Sequence, residues 1–218
     1  MVVGAVRAAG AAVLSVLVAV TSAGCSSPSS GATGTDTGKN GDSAPAKSAG
    51  ATPVRRGGTL GGAGSACELP VTFALAADWK PEAVRVEPGS DLAALAEQGP
   101  VTMVCEIDAK PAGNIGYLRV WRGKPSSDGS REVLEAFVAA DPGATEATYT
   151  EVPAGTLTAT EVGYTVDGEL LDEPKTEHAF AVTTPDGPVV VHLGGLDSGE
   201  HEAMLPAYEL ARTTLRLG

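Results

Sequence analysis

Aromatic side chains are scarce in this chain: Phe, Tyr and Trp together make up 4% of its 218 residues, which leaves no broad platform for stacking bases or sugar rings. Positive charge is short as well, with 15 Lys and Arg against 27 Asp and Glu and a formal net charge of −12. A surface of that sign repels a phosphate backbone, so DNA and RNA are excluded as partners. The familiar catalytic signatures are missing. No Gly-x-Ser-x-Gly elbow exists, and no two of the three histidines, His178, His192 and His201, have the four-residue helical spacing of a zinc pair. The Gly-rich stretch 57–64 lacks the Lys and the following helix of a phosphate-binding loop. The sequence predicts no catalytic residues, no metal site and no cofactor.

Long apolar runs are confined to the N-terminus. After the single charge of Arg7, residues 8–20 carry Leu14, Val16, Leu17, Val18 and Val20. At a helical rise of 1.5 Å this run reaches roughly 20 Å, short of the roughly 30 Å hydrocarbon core of a bilayer. Residues 1–24 therefore read as a signal peptide rather than a spanning helix. Ala23-Gly24-Cys25 resembles the bacterial lipobox, in which the cysteine becomes the lipid-modified first residue of the mature protein, although Ser22 stands where an aliphatic residue is usual. The rival is ordinary cleavage after Ala23, giving a freely secreted protein. Cysteine parity bears on the choice, because three cysteines leave one thiol without a partner in an exported protein. Acylation of Cys25 consumes the odd one and leaves Cys67 and Cys105 to form a disulfide in an oxidising compartment. The expected location is the outer face of the cell membrane, held there by a lipid anchor.

Residues 26–66 contain 10 Gly, 7 Ser, 7 Ala, 5 Thr and 3 Pro, with Val54 and Leu60 the only large apolar side chains. Such a composition cannot build a core, so residues 25–66, Cys25 included, are expected to be a lipidated, disordered tether. A coil of this kind spans about 35 Å on average, and Arg55 and Arg56 within it read as incidental. Residues 67–218 are then one globular domain, acidic enough to favour a soluble monomer.

Apolar periodicity divides that domain into elements. Strands are predicted over 69–76, 101–107, 115–121, 147–152, 157–166, 180–184 and 189–193 from period-two alternation or short apolar runs. Asp91 is expected to open a short helix and Gly129-Ser130 a second one, with Val133, Leu134, Phe137 and Val138 as its buried stripe. Asp167-Gly168 and Pro185-Asp186-Gly187 mark hairpin turns. A last helix is expected to begin at Ser198 as N-cap and run through Arg212, with Pro206 kinking it or marking its true start. Antiparallel strands with helices over their faces make an α+β layered domain.

Candidate site residues are few. His178 and His201 have charged neighbours and are expected at the surface, and His192 alternates with Val190 as a satisfied sheet histidine. Asp167, Glu169, Asp172, Glu173 and Glu177 form an acidic cluster read as a solvated loop that blunts a sheet edge, without calcium-loop spacing. Trp79, Trp121 and Tyr117 read as core rather than as a recognition patch.

The element order, with Phe73 followed by Trp79, Gly155 before the strand at Leu157, and the closing segment 210–217, resembles the PsbP-type fold and, more narrowly, the LpqN-like lipoproteins of actinobacteria. The resemblance implies an antiparallel sheet sandwiched by helices over 67–218, with Thr214-Leu215-Arg216-Leu217 closing the last helix. It implies an extrinsic or accessory role rather than a shared chemistry. The function expected is a non-enzymatic, lipid-anchored extracytoplasmic binding or accessory module, with the membrane and an envelope protein as partners. A carrier of small apolar ligands and a hydrolase without a recognisable motif are the alternatives.

Overall fold

The computed structural model describes residues 54–87, 89–90, 93–167 and 173–218. The strands are β1 (Arg56–Leu60), β2 (Val71–Ala76), β3 (Lys80–Ala83), β4 (Glu97–Gln98), β5 (Val101–Asp108), β6 (Gly116–Gly123), β7 (Ala144–Ala154), β8 (Leu157–Val166), β9 (Lys175–Val182), β10 (Val189–Gly195) and β11 (Arg216–Leu217). The helices are α1 (Ser130–Ala139) and α2 (Ser198–Thr213). Among the described residues the large antiparallel sheet has the order β3-β5-β6-β10-β9-β8-β7, with β4 paired beside β5, and a small sheet has the order β1-β2-β11. This is an α+β architecture of antiparallel sheet with helices on both faces.

Alternation along each strand sorts side chains between two cores. Phe180 and Val182 of β9, Val191 and Leu193 of β10, and Leu118 and Val120 of β6 face α2, meeting Met204, Tyr208 and Ala211 together with Val71 and Phe73 of the small sheet. Ala179, Ala181, Val190, Val162, Tyr164 and Trp121 point the other way and pack with Val133, Leu134, Phe137 and Val138 of α1. Helix α1 lies chiefly over β7, β8 and β9. Its start is fixed by Glu132, whose carboxylate reaches back to accept from the Gly129 N–H at 2.8 Å. Cys67 and Cys105, both buried in the α2-side core, are joined by a disulfide across a Cα separation of 5.9 Å. Cys25 lies outside the described residues.

Several expectations are corrected. The folded part starts before Cys67: within the stretch read as tether, β1 pairs with β2 and Leu60 is buried against Phe73 in the same core. Arg55 is not idle, since its guanidinium bonds Asp78 at 2.7 Å on the surface. Near Asp91 the described element is a single 3-10 turn, Ala93–Ala96, whose Leu95 is exposed. The N-cap of α2 is Asp197, not Ser198; its carboxylate accepts from the Glu200 N–H at 2.8 Å. Pro206 sits inside α2 rather than at its start. The chain end does not close that helix either, because Arg216–Leu217 leaves it to pair with β2. Gly155, in the β7–β8 turn, has φ +56°, and a Cβ there would run into the Leu215 carbonyl. Only glycine lets the C-terminal segment pass so close.

Candidate functional site

On the α1 side of the large sheet, beyond the area that the helix covers, lies a cavity of about 700 Å³, within the range that holds small organic ligands. Its polar floor comes from four strands whose alternation aims the right residues at one face. Lys175 and Glu177 share parity with Ala179 on β9, His192 with Val190 on β10, Tyr164 with Val162 on β8, and Tyr117 and Arg119 with Trp121 on β6. Register completes the arrangement: Tyr164 stands opposite Glu177, Val190 opposite Trp121, and His192 opposite Arg119. Gly194 keeps the floor open, since a Cβ there would lie 3.3 Å from both Glu177 Oε1 and His192 Cε1.

Glu177 is the hub. Its Oε2 is 2.8 Å from His192 Nε2 and accepts the Tyr164 hydroxyl at 3.2 Å. Its Oε1 meets Lys175 Nζ at 2.8 Å, and the same ammonium donates to the Gly195 carbonyl at 3.2 Å. Glu177 and His192 are each only 6% exposed. Burial pushes the Glu177 carboxyl up, but the charge and hydrogen bond of His192, and then those of Lys175, outweigh it and bring its pKa down to about 2. Burial and the adjoining carboxylate push the Tyr164 phenol above its ordinary range. Tyr164 is thus held as a proton donor to an ionised Glu177. Beside this network Arg119 Nε donates to Glu106 Oε2 at 2.8 Å.

Two nitrogens among the cavity-lining residues have no hydrogen-bond partner among the described residues: His192 Nδ1 and Trp121 Nε1. Both rings flank Phe137 of α1, with centroids 5.8 Å and 5.4 Å from it. At the rim the lining turns apolar and exposed, at Leu95 and Ile115. No group of three or more metal-ligating side chains occurs among the described residues.

Residues 37–215 match a protein family described as "Uncharacterised lipoprotein". The chain belongs to that lipoprotein family. No curated protein matches it. Among solved structures it is similar to cyanobacterial PsbP (CyanoP) from Synechocystis sp. PCC 6803, at 13% identity and a TM-score of 0.47, over 73% of this chain and 97% of that one. No described helix of the lipoprotein is long and apolar enough to cross a membrane.

His178, His201 and Glu177 depart from the sequence reading. His201 is buried, and its Nε2 lies 2.7 Å from Nδ1 of half-buried His178, the two rings stacked on the α2 side of the sheet. The Met204 and Tyr208 spacing, three and seven residues on, marks the same buried helix face and was the signal for it. Glu177 is not part of a solvated loop but sits deep in the sheet, while Asp167 and Glu173 are exposed and Glu169 and Asp172 lie outside the described residues. Trp79 and Trp121 are buried and Tyr117 is half-buried at the cavity. Lys175, Tyr164 and Arg119 were not singled out from sequence. Parity with Glu177 marks Lys175; nothing local marks Arg119.

Proposed function

We propose that this lipoprotein is a non-enzymatic binding or accessory module. Acyl chains on Cys25 hold it at the outer face of the cell membrane, and the Gly-rich sequence ahead of Val54 serves as spacer. Family membership and the lipobox-like Ala23-Gly24-Cys25 support the anchor. The finer kinship, with LpqN-like lipoproteins of actinobacteria, belongs to this reading too. One observation carries the binding role: a cavity of about 700 Å³ with a buried, ion-paired floor and an exposed apolar rim. A core that only needed packing has no use for a buried Lys-Glu-His network, which costs desolvation unless every partner is placed. The domain acts as a single copy, offering the cavity to a small molecule or its surroundings to an envelope protein.

Two experiments test the reading. Cys25→Ser should move the protein from the membrane fraction to the medium, and retention in the membrane would overturn the anchor. A fragment screen by saturation-transfer NMR should give hits that Ile115→Trp, at the mouth, removes; hits insensitive to it would place binding elsewhere.

A second reading, hydrolysis, is favoured by one feature. Glu177 holds His192 by Nε2 and leaves Nδ1 without a hydrogen-bond partner among the described residues. Turnover in a substrate screen that His192→Ala abolishes would favour it.

A further inference from the structure

We propose that the outer face of the small sheet, with Arg56 and Arg216 on its two edge strands, docks on anionic phospholipid headgroups of the membrane, a reading that rests on the acyl anchor at Cys25 and not on the large cavity.

Alternation builds this face. Val71, Phe73 and Leu75 of β2 enter the α2-side core, so Thr72 and Ala74 turn outward. Arg216 of β11 stands opposite Thr72, Thr59 of β1 opposite Ala74, and Arg56 opposite Ala76. Arg56, Thr59, Thr72 and Arg216, with Thr156 of the β7–β8 turn, line a concavity of about 490 Å³. Arg56, Thr59, Thr156 and Arg216 are exposed.

Its charge is of one sign. Arg55, Arg119, Arg131, Lys175 and Arg212 each hold a carboxylate, but Arg56 and Arg216 have no ion-pair partner among the described residues. No Asp or Glu lines the concavity. The large cavity, by contrast, mixes Arg119 and Lys175 with Asp141, Asp167 and Glu177, and a groove at Arg122 and Lys124 holds Glu97, Asp128 and Asp186. A chain of net charge −12 meets an anionic surface best with this face forward, because charges beyond a Debye length of about 8 Å are screened. Guanidinium forks match phosphate oxygens. Thr213 and Thr214 donate their hydroxyls to α2 carbonyls, which leaves those of Thr59, Thr72 and Thr156 for a ligand.

Two observations point to a membrane rather than a free phosphate ion. Arg56 and Arg216 lie two strand spacings and four β2 positions apart, about 16 Å between Cα atoms in an ordinary sheet. That separation suits neighbouring headgroups better than one ion. The chain from Cys25 also enters the domain at this sheet: Cys25 and Arg56 are 31 positions apart, and a Gly-rich chain of that length spans about 30 Å.

The acylated, 15N-labelled lipoprotein tests this in nanodiscs of phosphatidylcholine and phosphatidylglycerol that carry a gadolinium-chelating lipid. Amides of Thr72, Thr156 and Arg216 should broaden, and that of Glu135 on α1 should not. Arg56→Gln and Arg216→Gln should each weaken docking about fivefold without moving the thermal midpoint, since both side chains are exposed. Arg131→Gln, on α1, should leave docking unchanged. Equal broadening on discs of phosphatidylcholine alone or in the double variant would overturn the docking face, as would broadening centred on α1. Saturable binding of inorganic phosphate by the unacylated Cys25→Ser chain at the same amides, with no docking on the discs, would overturn the lipid source. A chain that washes off the discs would overturn the anchor, and the docking with it.

Discussion

His178 on β9 and His201 on α2, 23 residues apart in sequence, bring Nδ1 and Nε2 to 2.7 Å with their rings stacked. This contact ties the last helix to the sheet and holds only while at least one of the two facing nitrogens lacks a proton. Burial lowers both pKa values, that of His201 to about 4, with His178 the next contribution; Glu161 opposes the shift at His178 and Glu177 that at His201, while His192 and Lys175 lower His201 further. The folded state therefore binds fewer protons than the unfolded one. Stability from this pair is complete above the ordinary histidine pKa of 6.5 and is lost as pH falls toward 4. Urea unfolding followed between pH 7 and 4 should show that decline, and His201→Phe should flatten it.

The Glu177 network predicts a second, lower window. With its pKa depressed from 4.5 to about 2, Glu177 stabilises the fold above pH 4.5 and loses that contribution as pH falls through 2. Glu177→Gln removes this dependence. At pH 7 it should cost about 3–5 kcal/mol in urea unfolding, because Lys175 loses its counter-ion and His192 Nε2 its carboxylate partner. Lys175→Met should cost less, since that side chain is 25% exposed and reaches solvent.

The Cys67–Cys105 bond closes a loop of sequence separation 38. In the chain-entropy account it stabilises the fold by about 4 kcal/mol. Cys67→Ala with Cys105→Ala should lower the free energy of unfolding in urea by that amount, and reduction of the wild-type chain should reproduce the loss.

Leu60 is 1% exposed in the α2-side core although it follows a Gly-rich stretch. Leu60→Ala should cost about 2–5 kcal/mol. A chain beginning at Cys67, which lacks the whole of β1, should unfold at a lower temperature in calorimetry than one beginning at Val54.

Much of this fold is legible in period-two alternation. Residues 101–107, 157–166 and 189–193 alternate or run apolar because each buries one face or both, and β5, β8 and β10 form there. The α1 stripe is legible for the same reason at helical period. β1 and β11 are not legible, because neither has a hydrophobic pattern of its own; each exists only through pairing with β2, from opposite ends of the chain. At the site, His192 was legible as a sheet histidine. The roles of Glu177 and His201 were hidden by charged neighbours, which suggest solvent until a sheet or a helix is set against them.

The sequence alone determined the layered α+β class, the positions of most strands and both helices, and the acidic surface, because these follow from local periodicity and from charge. Tertiary structure alone decided what the polar residues do. Whether a carboxylate on a strand is solvated or buried depends on which strands lie beside it, and only the β8-β9-β10-β6 register sets Tyr164, Glu177, His192 and Trp121 on one face of one cavity.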